Sequence, residues 1–325
     1  MLTNAANGCN RGGMPRSSRS WTSELSGSFH IISRIAGREL LLGDKEKEYF
    51  LLLMEKFARG FFVDIHAFCI MGNHFHILAT GREQKAEGAS EQELLRRYQR
   101  IYGDGEQPPP GVYEGDGTII PDKDDGIERL RCRLGSISRF TQELKQSFSR
   151  WYNKKSGRRG YLWAERFKGV IVGQGDAQLV CSAYIDLNPI RAGIVQKPED
   201  YRWSSMGLRA RTPRRADQLL TPLPLKSVRE KRGLSLYRLF VYEAGSIKKR
   251  NGGQIPEGIN QEVKALMGKL KLGDKLKHRF RNLTEGQAIG SKQLIEQVQR
   301  INKRKHVKAR VITDGGHLFT TRSLN

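Results

Sequence analysis

The chain has 325 residues, and its 57 Lys and Arg against 34 Asp and Glu give a formal charge of +23, which favours DNA or RNA as the partner. No stretch reaches the roughly 18 apolar residues of a membrane-spanning helix, and the polar N-terminus lacks a secretory signal, so we expect no membrane attachment. Four scattered cysteines without a CxxC pair indicate neither a zinc ribbon nor a disulfide framework, and they fit the reducing cytoplasm.

The first eighty residues predict a strand, a helix and two further strands. Residues 1–26 are rich in Gly, Ser, Asn and Arg without periodicity, and they predict a flexible basic leader. An apolar run over residues 29–35 predicts the first strand, and residues 61–71 and 74–80, separated by a Gly-Asn turn, predict the other two. Helical spacing marks the inner stripe of the helix between them: Tyr49, Leu52, Leu53 and Phe57.

The pattern resumes after an irregular segment. Residues 81–128 contain a Pro triplet and several glycines, so we expect a surface insertion there with one short helix. A strand is expected over residues 167–172, and Asp176 is a suitable N-cap for a helix that ends at Asn188. A preceding helix is predicted by apolar residues at helical spacing: Ile137, Phe140, Leu144, Phe148 and Trp151.

The last third of the chain has weaker signals. Prolines interrupt residues 211–250, which we predict to be a linker. Residues 251–325 are predicted to form a small, basic, helical accessory domain, in which a run of Lys and Arg over 303–310 is either a solvated face or a nucleic-acid contact. Two amphipathic patterns support its helices: Ile259, Val263, Leu266 and Leu270, then Leu294, Ile295, Val298 and Ile301.

His74 and His76 lie two residues apart in an apolar strand pattern. Because side chains alternate along a strand, both imidazoles point to one face, which is a metal-ligand geometry. Burying both without partners would cost roughly 1–3 kcal/mol each. A shared divalent cation would satisfy both, and a pair of core histidines is the alternative.

Tyr184 and Asn188 lie four residues apart at the end of a predicted helix, so both can face one site. The Asn188 carbonyl oxygen suits a divalent cation, and a helix C-cap before Pro189 is its alternative role. A tyrosine pKa of about 10 means that attack on phosphorus at neutral pH needs a cation on the phosphate oxygens. Tyr152 and Tyr161 are alternative nucleophiles, but neither has an amide side chain four residues on.

Together these motifs resemble the REP-associated tyrosine transposases, a branch of the single-tyrosine HUH transposases of insertion sequences. The His74-x-His76 pair is similar to the family's HUH motif. Tyr184 and the Asn-Pro-x-x-x-Gly turn that starts at Asn188 are similar to its tyrosine helix. The resemblance spans residues 27–210, and two further segments share it: residues 161–168 and 201–205.

The resemblance implies an α+β fold, a ferredoxin-like antiparallel sheet with packed helices. It also implies cleavage of single-stranded DNA at hairpin-forming repeats, with Tyr184 joined to the 5′ phosphate and a 3′ hydroxyl released. Mg²⁺ or Mn²⁺ would be held by His74, His76 and Asn188. Relatives from insertion sequences form dimers, so a homodimer stands as an open alternative to a monomer.

The densest basic stretch runs from residue 150, at the end of the helix predicted over 136–152, to residue 168. We expect it to contact DNA phosphates, with an aromatic residue stacking on an unpaired base. The residues expected at this interface are Arg150, Lys154, Lys155, Arg158, Arg159, Trp163, Arg166 and Lys168. Two other functions stay open. One is a non-catalytic nucleic-acid-binding regulator on a ferredoxin-like fold, and the other is a metallohydrolase of a small substrate, which would leave the charge unexplained.

Overall fold

The computed structural model describes residues 27–103, 123–222, 230–247, 252–261, 288–302, 307–311 and 319–323. They form an α+β fold with one seven-stranded sheet. The strands are β1 Ser28–Arg34, β2 Val63–Ile70, β3 His74–Gly81, β4 Lys168–Val172, β5 Ala288–Gly290, β6 Val307–Val311 and β7 Phe319–Ser323. The helices are α1 Asp44–Gly60, α2 Glu83–Glu87, α3 Glu91–Tyr102, α4 Lys123–Gly135, α5 Ile137–Ser156, α6 Asp176–Asp186, α7 Asn188–Arg191, α8 Ser205–Arg211, α9 Pro213–Leu219, α10 Glu230–Ser246 and α11 Lys292–Asn302, with 3-10 turns at Ala36–Arg38 and Pro198–Asp200.

The strand order across the sheet is β2-β3-β1-β4-β5-β7-β6. The first four strands pair antiparallel, as the resemblance implies, whereas β4 and β5 pair parallel with Ile171 opposite Ala288. Side chains alternate between the two faces of the sheet. Phe29, Ile31 and Phe75 therefore point to one face, and His30 and His76 point to the other.

Helices α1 and α5 cover the face that carries Phe75. The predicted stripe of α5 is confirmed, since its apolar residues up to Phe148 are buried. The stripe of α1 is rotated from the prediction, because Leu52 is 50% exposed and Phe50 is buried instead. The α1 residues that pack inward are spaced as a helix requires: Phe50, Leu53, Met54 and Phe57.

Helix α6 packs on the opposite face, over β2, β3 and β4. Its small and apolar residues Ala177, Cys181 and Ile185 are fully buried against Leu78 and its neighbours on the sheet. Gly175, with a φ of 71° that favours glycine, lets the chain turn from β4 into this helix. The packing holds the last turn of α6 above β3, where the two motif histidines lie.

The prediction that residues 211–250 form a linker is wrong. Pro213 begins α9, and a proline is tolerated there because the first helical turn needs no backbone N–H partner. Helix α10 follows and buries Tyr237 and Phe240 in a cluster that includes Leu179 of α6. The prolines of this region therefore mark a helix start as well as a break in regular structure.

Residues 251–325 contribute strands as well as the predicted helix α11. The helix prediction for 292–302 is confirmed, with Leu294 and Val298 buried, and most of the other predicted helix lies outside the described residues. Strands β5, β7 and β6 extend the sheet beyond β4, so this segment is not purely helical. The basic run predicted over 303–310 includes part of β6.

The predicted insertion is partly helical. Helix α3 confirms the short helix, and its Leu94 is fully buried, whereas residues 104–122 and the leader 1–26 lie outside the described residues. No helix within the described ranges combines the length and hydropathy needed to cross a membrane.

A buried polar cluster ties α6 to the sheet. The hydroxyl of Thr80 lies 2.7 Å from the Ser28 hydroxyl and 2.7 Å from Nε2 of His66. Gln178 of α6 donates a hydrogen bond to the Ser28 hydroxyl. A second tether holds the end of the helix: the fully buried Asp186 accepts hydrogen bonds from the side chains of Ser205 and Tyr237 (2.6 Å each) and from the backbone N–H of Met206 (2.9 Å).

The buried His66 makes the fold sensitive to acid. Burial lowers the pKa of His66 from 6.5 to about 4, with Asp64 opposing and Arg82 adding to the effect. The unfolded chain therefore binds a proton that the folded chain excludes, and stability falls as the pH drops from 6.5 towards 4. When the pH is lowered from 7 to 5, we expect the wild type to lose about 2 kcal/mol more unfolding free energy than the His66→Gln variant. Urea unfolding at both pH values, with EDTA present, measures this difference, and an equal loss in both proteins would contradict it.

Candidate active site

The two motif histidines lie on β3 and face α6. Arg34 of β1 is opposite His74, and Ile32 is opposite His76, so the two imidazoles share one face of the sheet with the side chains of these partners. The rings of His74 and His76 are 5.0 Å apart between centroids. His76 is buried and His74 is partly exposed, which puts the pair at the edge of the core.

Tyr184 lies on the last turn of α6, directly beside this pair. Its ring meets the ring of His76 edge-on with 5.8 Å between centroids. Asn188 follows at the start of α7, and its side-chain nitrogen donates to the backbone carbonyls of Tyr184 (2.9 Å) and Ile185 (3.3 Å). The amide therefore caps α6, and its carbonyl oxygen is the atom left to bind a ligand.

All four motif residues line one cleft of about 700 Å³: His74, His76, Tyr184 and Asn188. Basic residues outnumber acidic ones in the rest of the wall. It contains four cationic side chains and one carboxylate, Glu165. The cations are Arg34, Arg38, Arg166 and Lys168. A concave site with this charge balance suits an anionic substrate.

Both histidines are held through Nδ1. The nitrogen of the Asn73 amide donates to the Arg38 carbonyl (2.9 Å), so the amide oxygen accepts a hydrogen bond from Nδ1 of His74 (2.7 Å). Nδ1 of His76 lies 2.9 Å from Nε2 of His30. Each Nε2 is therefore the nitrogen that remains for a ligand in the cleft.

Burial keeps the two imidazoles neutral. It lowers the pKa of His74 to about 4, with a further contribution from Arg34. Burial also lowers the pKa of His76 well below its ordinary value, and His30 and His74 add to the effect. Only a neutral imidazole offers a lone pair, so this environment favours the form that binds metals.

The donor set fits a divalent cation. Two imidazole nitrogens and one amide oxygen carry no net charge and leave coordination positions for phosphate oxygens, an arrangement compatible with Mn²⁺ or Mg²⁺. Within the described residues no group of three or more His, Cys, Asp and Glu side chains could hold a metal ion. A cation in this cleft therefore depends on Asn188 and on oxygen atoms of the substrate or water.

Residues 164–166, just before β4, form one wall of the cleft, and hydrogen bonds hold this segment in place. The backbone N–H of Ala164 donates to the carbonyl of Arg34 (2.9 Å), and Trp163 forms a bridge with Ile35. The buried Lys145 donates to the carbonyl of Glu165 (2.9 Å). This anchoring explains why a loop can present side chains at fixed positions.

Trp163 is better explained as a core residue than as a base-stacking one. Its ring packs edge-on against Phe75 (5.4 Å between centroids) and Phe50 (6.2 Å), and its indole N–H donates to the Lys145 carbonyl (3.1 Å). These contacts lie on the α1 and α5 face of the sheet. The ring is only partly buried, and stacking of Trp163 on a DNA base stays a prediction.

The predicted DNA-binding residues fall into two groups. Of these, Arg166 and Lys168 line the cleft. The others lie on α5, which covers the opposite face of the sheet, or in the loop just after it, and Lys155 and Arg158 form ion pairs with Glu46 and Glu39. That second group consists of Arg150, Lys154, Lys155, Arg158 and Arg159. Contact of these five residues with DNA stays a prediction.

Sequence reasoning missed His30, Asn73, Arg34 and Arg38. The period of two along β1 brings His30, Ile32 and Arg34 to the same face as the motif histidines. That signal was present in the sequence, but it becomes useful only once β1 is known to pair with β3. Arg38 has a positive φ of 61°, rare for a residue with a side chain, and lies in the turn beside the cleft.

Comparisons with known proteins add little to this geometry. No family model and no curated protein matches the chain. A solved structure of a REP-associated tyrosine transposase bound to a REP hairpin is similar at 15% sequence identity and a TM-score of 0.36, covering 71% of this chain and 94% of that chain. A likeness of this extent is too weak to carry a function to this chain.

Proposed function

We propose that the chain is a single-stranded DNA endonuclease and strand transferase of the transposase kind, with Tyr184 as the nucleophile. The observation that carries the proposal is the convergence of Tyr184, Asn188 and the two motif histidines in one basic cleft. A tyrosine in a cleft is common. A tyrosine beside two neutral imidazoles whose Nε2 atoms are left for a cation is suited to attack on a phosphodiester.

The proposed cleavage exchanges one phosphodiester for another. The phenol oxygen of Tyr184 attacks phosphorus and forms an O–P bond as the bond from phosphorus to the 3′ oxygen breaks. The phenol proton passes to water and the leaving oxygen takes a proton, so no proton is gained or lost overall. The 5′ phosphate stays on Tyr184, and attack by a 3′ hydroxyl reverses the step and joins strands without ATP.

Five further residues of the cleft have a part in this scheme. His74, His76 and Asn188 would hold Mg²⁺ or Mn²⁺, which when bound neutralises charge on the non-bridging phosphate oxygens. Arg166 and Lys168 bind the phosphates on either side of the cleaved bond. The cap that Asn188 provides fixes the last turn of α6 and so the direction of the phenol.

The test is a covalent adduct. The protein is incubated with labelled single-stranded DNA that contains a hairpin-forming repeat, with Mn²⁺, and the products are run on a denaturing gel. We expect a labelled band that migrates with the protein and disappears after protease treatment. The competing function, a non-catalytic regulator, predicts binding in a native gel and no adduct with any hairpin or unstructured strand. Light scattering of the free protein measures whether it is a monomer or a homodimer.

The cleft charges set the salt dependence of DNA binding. Removing two phosphate contacts with the double variant Arg166→Ala/Lys168→Ala should reduce the slope of log K against log salt by about 1.4 for single-stranded DNA. The matched control, Arg150→Ala/Lys154→Ala, removes the same charge from the far side of the sheet and should leave the slope unchanged. Fluorescence anisotropy over a series of KCl concentrations measures both. Equal slopes for the two double variants would contradict a DNA path through the cleft.

A further inference from the structure

A third histidine, His30, lies behind the candidate metal site. It is fully buried on β1, and it is not among the described residues that line the cleft. Its Nε2 lies 2.9 Å from Nδ1 of His76, and its ring meets the ring of Tyr184 edge-on at 5.8 Å. His30 therefore contacts two side chains of the proposed machinery without reaching the substrate.

The hydrogen bond between the two histidines decides which nitrogen of His76 can bind a cation. A neutral imidazole has one protonated nitrogen and one with a lone pair. When Nδ1 of His76 donates to His30, the lone pair is on Nε2. The opposite arrangement, in which Nδ1 accepts, puts the proton on Nε2 and blocks it as a ligand.

His74, the neighbouring motif histidine, is held in the same way. Asn73 accepts from Nδ1 of His74 through an amide whose orientation is fixed by the Arg38 carbonyl. Partners behind metal-bound imidazoles fix both the ring orientation and the tautomer. His30 has the matching place behind His76, and the two rings stack at 5.1 Å between centroids, which also restrains rotation of the His76 ring.

We propose that His30 is a positioning residue that accepts the Nδ1 proton of His76 and thereby directs the Nε2 lone pair of His76 at a divalent cation. The role rests on the proposed function, because it requires a cation held by His74, His76 and Asn188. Nothing in it requires that His30 touch DNA or the metal.

The experiment measures Mn²⁺ binding to the full chain without DNA, by the electron paramagnetic resonance signal of free Mn²⁺. We expect His30→Leu to weaken Mn²⁺ binding about 10- to 100-fold, whereas His30→Gln, whose side-chain oxygen can accept in place of Nε2, stays within about threefold of the wild type. The control is His66→Gln, which replaces another buried histidine but keeps a polar group beside Thr80, and it should leave Mn²⁺ affinity unchanged. His74→Ala gives the Mn²⁺ affinity that is expected when one proposed metal ligand is missing.

The outcomes separate the two proposals. Wild-type affinity in a folded His30→Leu variant, or equal weakening in the Leu and Gln variants, overturns the role of His30 and leaves the metal site intact. No Mn²⁺ binding by the wild type, or no effect of His74→Ala, overturns the metal site and His30 together.

A second measurement needs no variant. Nitrogen-15 spectra of the histidine side chains in the wild-type chain with Mg²⁺ report which nitrogen of each ring is protonated. We expect His76 to be protonated on Nδ1 and His30 to be unprotonated on Nε2. A proton on Nε2 of His76 would overturn the proposal, even if His30→Leu failed to fold.

Discussion

Tyr184→Phe is expected to abolish the covalent DNA adduct and to lower strand cleavage by about 10³-fold or more, because in the proposed cleavage the phenol oxygen is the atom that bonds to phosphorus. The ring stays, so its edge-on contacts with His76 and His30 are kept and the fold should be unchanged. DNA affinity should fall by less than about threefold, since the proposed phosphate contacts of Arg166 and Lys168 are kept. Gel analysis of the adduct and anisotropy of the bound strand measure the two effects separately.

The matched control for this variant is Tyr161→Phe. Tyr161 is 92% exposed and follows the basic loop over residues 154–160, but it is not among the described residues that line the cleft. Its variant should form the adduct at the wild-type rate. An adduct that survives Tyr184→Phe and disappears with Tyr161→Phe would mean that Tyr161, and not Tyr184, is the nucleophile.

Asp186→Ala is expected to lower the free energy of unfolding by about 4 kcal/mol, because it leaves three buried donors without their acceptor. Those donors are the hydroxyls of Ser205 and Tyr237 and the backbone N–H of Met206. Asp186→Asn keeps one acceptor oxygen and should cost less. Urea unfolding followed by tryptophan fluorescence measures both changes.

The matched control is Asp217→Ala, which removes an exposed aspartate from α9 and should change stability by no more than about 0.5 kcal/mol. Asp186 lies between Tyr184 and Asn188, at the point where α6 ends. A loss for Asp186→Ala as small as that of the control would mean that α8 and α10 do not hold this end of the helix.

The sequence predicted the parts of the fold whose pattern repeats. Strands β1 to β4 and helices α1, α5 and α6 each have several apolar residues at one period, and the predicted order agrees with the structure. Strand β5 has three residues, which is too short for alternation to appear. Strand β6, Val307–Val311, alternates apolar and basic residues within a longer basic run and resembled a solvated segment.

The candidate site was predictable where residues are adjacent in sequence and not where the fold brings them together. His74 with His76, and Tyr184 with Asn188, share a face by local geometry alone. His30 lies far from both pairs in sequence, and a single histidine in an apolar run indicates nothing until β1 pairs with β3. The core contacts of Trp163 were not predictable, because an aromatic residue between basic ones looks the same in sequence whether it packs inward or outward.

The parallel pairing of β4 with β5 has a consequence for biosynthesis. As the chain leaves the ribosome, β1 to β4 can assemble early, but the outer side of β4 stays unpaired until β5 has been translated. An open strand edge of this kind is a template for pairing between nascent chains. Slow translation of the segment between these strands would therefore promote aggregation, and a chaperone that shields this edge would raise the yield of folded protein.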